Sequence, residues 1–192
     1  MQTSRSRASI AVIGDGGVPP GSNGWLLAER LGLLIVEAGH RVVTGGLGGV
    51  MEAACRGARG APAYRHGDTV GILPGHDASA TNGFVDVAIP TGLGHARNLV
   101  VAHADAVVAI GGGAGTLSEL AMAWIFGRLI LGFRVEGWSG RLADQRVDPR
   151  IRYPSIPDDR VFGIDTAEEA IANLGARLPD YHAARRVESS PP

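Results

Sequence analysis

Residues 106–126 read AVVAIGGGAGTLSELAMAWIF, and this stretch decides the fold. A short apolar, β-prone run (Ala106–Ile110) meets a glycine loop at Gly111, Gly112, Gly113 and Gly115. The loop opens into an apolar helix beginning near Thr116. Strand, glycine turn and helix start together make a place for an anion. Glycine permits positive φ and close backbone approach, and the first free N–H groups of the helix point at whatever sits there. The pattern predicts a phosphate-bearing ligand at this turn, with Arg97 and Glu119 beside it.

Working outward, the same grammar repeats. Ser9–Gly14 (SIAVIG) reads as a buried strand followed by a loop over 14–24, GDGGVPPGSNG, in which Ser22 or Asn23 can cap a helix over 25–38. Arg41–Thr44 is a second strand, followed by Gly45, Gly46, Leu47, Gly48 and Gly49 and a helix at Val50–Arg59. On that helix Cys55 falls on the apolar stripe and reads as a small buried hydrophobe, while Glu52 and Arg56 read as a solvated i, i+4 pair. Thr69–Leu73, residues 84–89, Leu129–Phe133 and Val161–Ile164 read as further strands, with a helix over 96–103. From 134 to 160 the pattern collapses into eleven charged residues, three prolines and no period, which predicts a long, poorly ordered surface excursion. A capping box, Thr166 with Glu169, opens a last helix over 166–174. Residues 1–7 read as a frayed polar tail and 185–192 as a disordered one. Strands alternating with helices through short glycine turns predict an α/β fold, a doubly wound parallel sheet with helices on both faces. No boundary divides it: the reading is one domain over 1–192, with its core at about 8–133.

Composition narrows the chemistry. All 18 basic residues of the 192 are arginine, so a Walker loop, a kinase strand lysine and a pyridoxal Schiff base are excluded. The single cysteine, Cys55, rules out an intrachain disulfide and a cysteine-rich zinc site, and the six histidines show no ligand spacing, so no metal site is assigned. Net charge −1 provides no basic field for nucleic acid or an anionic membrane, and no run approaches the length of a membrane span, so the expected location is cytoplasmic. An NAD fingerprint is also missing. Pro20 stands at the third glycine position after the first strand, and the second strand ends in Thr44-Gly45-Gly46 without a carboxylate for a ribose. Glycines spread over several strand ends suit one phosphate or a mononucleotide seated across the sheet's carboxyl edge.

TGGLGGVMEAACRGA (44–58), GILPG (71–75), PTGLGHARN (90–98) and DAVVAIGGGAGTLSEL (105–120) together resemble the Lonely-Guy-like Rossmann superfamily. They look most like its branch related to DNA-processing protein A, which includes molybdenum cofactor carrier proteins. The resemblance covers about residues 8–133 and implies a Rossmann-like sheet. It implies one of two functions. The first is binding or carriage of a phosphorylated ligand, a nucleotide or a molybdopterin-type cofactor, with no cofactor required and the molybdenum cofactor as possible cargo. The second is hydrolysis of the N-glycosidic bond of nucleoside 5′-monophosphates, whose signature PGGxGTxxE and upstream Arg-Lys pair are met here by Gly111–Glu119 and Arg97, with Gly111 in place of the Pro and Asn98 in place of the Lys. These two departures favour binding over hydrolysis.

In either case the expected site comprises Glu119 and Arg97 as the chemical groups, with Gly14, Gly16, Gly45, Gly46, Gly112, Gly113, Gly115 and Thr116 cradling the ligand. Plainer roles stand beside these. Thr116 and Glu119 are themselves spaced as a capping box, His95 and His103 read as surface or packing residues, and Asp15 serves a ligand or only its loop. The helix after the loop is apolar nearly all round, with Met122 and Phe126 opposite the stripe of Leu117, Leu120, Ala121 and Trp124, which predicts a homodimer through it.

Overall fold

At the centre of the structure Ile10–Gly14 pairs in parallel with Ala106–Ile110, and the rest of the sheet grows outward from that pair. The computed structural model describes residues 7–188; the expectations for 1–6 and 189–192 lie outside the described residues. Seven strands, β1 (Ser9–Gly14), β2 (Arg41–Thr44), β3 (Thr69–Leu73), β4 (Val87–Pro90), β5 (Ala106–Ile110), β6 (Leu129–Phe133) and β7 (Val161–Ile164), run in the order β4-β3-β2-β1-β5-β6-β7. Every pairing is parallel. Period-2 alternation sends Ile10, Val12, Val108 and Ile110 to one face and Ala11, Ile13, Val107 and Ala109 to the other. The first face is covered by α1 (Asn23–Glu37), α2 (Val50–Arg59) and α6 (Ala167–Glu188); the second by α3 (Asn98–Val101), α4 (Ala114–Ile125) and α5 (Trp138–Leu142). This is the expected Rossmann-like α/β sheet, buried on both sides at its centre, where β1, β5 and β6 are continuous apolar runs, while the edge strand β4 stays largely exposed.

Several local expectations are corrected. Strand β4 begins at Val87, not at 84, because the chain before it is tied sideways: Thr69 Oγ1 donates to the Phe84 carbonyl, and Asp86 accepts from the Tyr64 hydroxyl at 2.5 Å and from Gly67 N at 2.9 Å. The helix expected over 96–103 is a 3-10 turn, Gly94–Arg97, running into the single turn of α3. Helix α1 starts at Asn23, with Ser22 as its N-cap. Helix α6 does not stop at 174. Its stripe continues through Leu178 and Tyr181 past Pro179 to Glu188, so Arg185 and Arg186 are helical rather than part of a tail. Arg56 pairs with Glu29 of α1, at 3.5 Å, and not with Glu52.

The excursion over 134–160 is the largest departure. Its charges bind one another. Arg152 makes a two-pronged pair with Asp159 (2.7 and 2.5 Å), lies 3.7 Å over the Trp124 ring and donates to the Trp124 carbonyl. Asp159 also accepts from the Tyr181 hydroxyl, and Tyr153 donates to the Gly127 carbonyl at 2.9 Å. A buried, multiply hydrogen-bonded ion pair of this kind orders a segment that has no apolar period of its own.

Helices α1 and α2 meet through glycine. A Cβ at Gly32 would lie 1.9 Å from the Ala54 carbonyl oxygen, and one at Gly57 would lie 1.8 Å from that of Glu29. The two backbones therefore touch at reciprocal points. Gly32→Ala and Gly57→Ala are each expected to destabilise the fold by about 1–3 kcal/mol through overpacking. Urea unfolding checks this; midpoints equal to the parent's would contradict the close contact.

Candidate functional site

The loops after β1 and β5 leave adjacent strand ends for opposite faces of the sheet, β1 toward α1 and β5 toward α4, and a crevice opens where they part. A cleft of about 210 Å³ occupies it, lined by Ile13, Gly14, Asp15, Gly16, Gly45 and Met51 on one side. His95, Arg97, Asn98, Gly113, Gly115, Thr116 and Glu119 line the other.

Each wall follows from local chemistry. Gly14 is packed so closely that a Cβ there would sit 2.3 Å from the Ile110 carbonyl oxygen. Asp15 folds back on its own loop, accepting from Gly17 N at 2.8 Å, while its carbonyl accepts from Val50 N at 3.0 Å and so joins the first loop to the second. The second loop is held from behind by Asn82, which donates to the Gly46 and Leu47 carbonyls at 3.2 and 2.9 Å. Gly45 faces the cleft because the Arg97 guanidinium lies on it: a Cβ there would be 2.4 Å from both terminal nitrogens.

Helix α4 begins at Ala114 with Gly113 as its N-cap and no side-chain cap. Thr116 therefore lies inside the first turn, and the capping-box reading of Thr116 and Glu119 does not hold. No acid stands in that first turn, so the positive end of a 12-residue helix faces the cleft without an internal counter-charge.

Arg97 and Glu119, 22 residues apart in sequence, meet on the cleft wall with Arg97 Nη1 donating to Glu119 Oε1 at 3.4 Å. Both are over nine-tenths buried, at 9% and 6% exposure. The bond is long, and among the described residues Arg97 Nε has no partner. Burial dominates the electrostatics. It pushes the Glu119 carboxyl up to about 7, only partly opposed by the Arg97 charge, and it pulls the Arg97 guanidinium down from its ordinary range. Asn98 donates to Ser118 Oγ at 2.8 Å and anchors α3 to the first turn of α4. Cys55 stays out of this chemistry: it is fully buried 3.6 Å from Thr44 Oγ1, and burial drives its thiol up to about 12.

Of the residues expected from sequence, Gly14, Gly16, Gly45, Arg97, Gly113, Gly115, Thr116 and Glu119 come together on the wall. Gly46 and Gly112 stand behind it, the first against Leu73 and the second beneath the Thr116 side chain. Sequence reasoning missed Ile13, Met51, Asn98 and the cleft position of His95. Asn98 carried a signal, standing where the phosphoribohydrolase signature has its lysine; Met51 carried none, because it reads only as one more apolar helix residue. His103 lies away from the cleft, its ring tilted against that of Phe126 with centroids 4.3 Å apart.

The family model described as SLOG cluster4 matches residues 7–155. An uncharacterized protein of Archaeoglobus fulgidus is 47% identical over 98 residues, half of this chain and 62% of its own length. Among solved structures, the molybdenum cofactor binding protein from the phototrophic bacterium Rippkaea orientalis is 31% identical, with a TM-score of 0.72 over 90% of this chain and 98% of that one. The molybdenum cofactor carrier protein of Chlamydomonas reinhardtii is 29% identical, also at 0.72, over 91% and 99%. DNA processing protein A of Helicobacter pylori, at 18% identity and a TM-score of 0.62 over 91% and 82%, shares the fold.

The raised carboxyl of Glu119 ties the site to pH. Its proton is bound more tightly in the folded protein than in the unfolded chain, so its contribution to stability is complete below about pH 4.5 and is lost as pH rises through about 7. Across that window the difference in unfolding free energy between the parent and Glu119→Gln is expected to change by about 3 kcal/mol, the parent losing stability relative to the variant. Urea titrations of both proteins at pH 4.5, 6 and 8 measure it, and parallel curves would refute it.

Proposed function

The chain belongs to the SLOG cluster4 family, and from that membership and the geometry of the cleft we propose that it binds a phosphorylated, nucleotide-like small molecule, either a nucleoside monophosphate or a molybdopterin-type cofactor. One observation carries the reading: Arg97, buried and with its Nε unpartnered among the described residues, shares the wall of a glycine-lined cleft with the uncapped N-terminus of α4. A buried cation without full hydrogen bonding costs free energy, and an anion satisfies it and the helix end together. Phosphate oxygens would take the first N–H groups of α4 and the Arg97 fork, with Gly14, Gly16 and Gly45 allowing the ligand close to the backbone, and Gly46 and Gly112 shaping the loops from behind. The molybdenum cofactor carrier structures support the cofactor alternative, as cargo rather than as a catalytic group. A polynucleotide is not the ligand in this reading, since a net charge of −1 gives no field to hold one.

Glu119 favours a second reading, phosphoribohydrolysis. Burial raises the Glu119 carboxyl beside the anion seat from its ordinary range to about 7, which brings its titration toward neutral pH. The carboxyl can give a proton to a leaving base, or, ionised, oppose the charge of an oxocarbenium-like state. The reading also includes the homodimer expected through α4, where Ile125 is exposed at 59%, with Leu99 and Val100 of the neighbouring α3 exposed at 45% and 39%. Phe126, expected on that surface, instead packs on His103.

Calorimetric titration with AMP, GMP and the molybdenum cofactor freshly released from a molybdoenzyme is expected to give binding by at least one of them, weakened tenfold or more in Arg97→Ala. If none binds, the proposal fails. Release of free base from AMP or GMP, abolished in Glu119→Gln, would move the protein to the hydrolase reading. Light scattering at micromolar concentration is expected to give twice the chain's 19.9 kDa, and a monomer mass would remove the dimer.

A further inference from the structure

The glycine loop after β5 is gripped from the side away from the cleft. Gly111 N donates to Ser139 Oγ at 2.7 Å, and Ser139 Oγ donates onward to the Phe133 carbonyl at 2.8 Å. Ser139 N donates to the Gly111 carbonyl at 3.1 Å, and Trp138 N to the Gly112 carbonyl at 3.0 Å. Ser139 is fully buried, so its hydroxyl must find its partners inside the protein, and the bonds with Gly111 N and the Phe133 carbonyl supply them. Gly137 closes the grip: a Cβ on it would lie 2.6 Å from the Gly111 carbonyl carbon and 2.7 Å from Gly112 N.

These bonds have a directional consequence. In a trans peptide the carbonyl and the N–H that follows it point in opposite directions. With the carbonyls of Gly111 and Gly112 drawn toward α5, the N–H groups of Gly112 and Gly113 are turned away from it, and Gly113 is on the cleft wall. The oxygens that would repel an anion are thereby tied back. Gly111 and Gly112 hold φ of 62° and 88°, the left-handed conformations this arrangement demands and glycine allows.

We propose that Ser139 is a positioning residue for the anion seat: its hydroxyl and the N-terminus of its short helix fix the peptide orientations of residues 111–113 so that the loop presents N–H groups to the ligand. The proposal rests on the reading of the cleft as a phosphate site. It gives the expected slack segment at 134–160 a task, since the anchor of Arg152 on Asp159 and the grip of Ser139 belong to the same stretch of chain.

Amide hydrogen exchange by NMR tests the grip without any ligand. In Ser139→Ala the Gly111 amide is expected to exchange about tenfold faster or more than in the parent, from loss of a buried hydrogen bond, while amides of β5 keep their rates. Leu178→Ala, a buried truncation on α6, serves as the stability control and is expected to speed Gly111 no more than it speeds the amides of β5. Titration with AMP, and with inorganic phosphate where AMP is not bound, is expected to show about tenfold weaker binding in Ser139→Ala and not in Leu178→Ala. Gly137→Ala, which pushes on the loop directly, is expected to weaken binding as well. Unchanged Gly111 exchange in Ser139→Ala, or faster exchange with undiminished affinity, overturns the proposal. A parent protein that binds neither probe overturns the phosphate-site reading instead, while the exchange rates still decide whether Ser139 holds the loop.

Discussion

The pairing of β1 with β5 is the constraint on which the rest of the molecule depends. The register sets Gly14 beside Ile110, so two glycine loops leave the sheet at the same level and turn to opposite faces. Were either strand shifted by one residue, every side chain along it would change face and the loop ends would no longer meet. The approach is tight enough that Gly14 admits no side chain against the Ile110 carbonyl. The cleft is what remains between the diverging loops, and so its floor is as rigid as the buried centre of the sheet.

Onto that floor the fold brings a buried pair that is poorly matched by protein standards. Arg97 and Glu119 share one long hydrogen bond, and both have their charged forms disfavoured by burial. A structural ion pair looks different, as the same molecule shows at Arg152 and Asp159, where two short bonds, an aromatic face and a tyrosine hydroxyl satisfy the charges. The contrast between a completed pair and an incomplete one is the physical reason to place ligand chemistry at the second. Strain and unsatisfied polarity concentrate where a protein keeps a place for something else.

Much of this was legible in the chain. Strand β5 can be assigned to the residue because an apolar run is bracketed by Asp105 and Gly111, and β2, β3, β6 and β7 are bounded as clearly. Where the reading failed, distant contacts outvoted local pattern. Val85 and Val87 alternate like a strand, but Asp86 between them is taken by Tyr64 and Gly67. Gly175 and Pro179 look like helix stops, yet the buried Leu178 and Tyr181 carry α6 through them. Arg97 and Glu119 were both expected beside the ligand, but that they touch each other was not legible, because no local rule joins residues on different elements. Ser139 offered no signal: one serine in a charged, aperiodic stretch does not announce that it is buried under a glycine loop.

The glycine contact between α1 and α2 has a mechanical meaning for the cleft. Each helix starts where one of the two loops on that side ends, α1 after the loop from β1 and α2 after the loop from β2. Backbones that touch at Gly32 and Gly57 cannot slide past each other without collision, so the two loops travel as one body. That wall acts as a fixed jaw. Any change in gape to admit a larger ligand has to come from the opposing jaw, made of the 3-10 turn carrying Arg97 together with α3 and the start of α4.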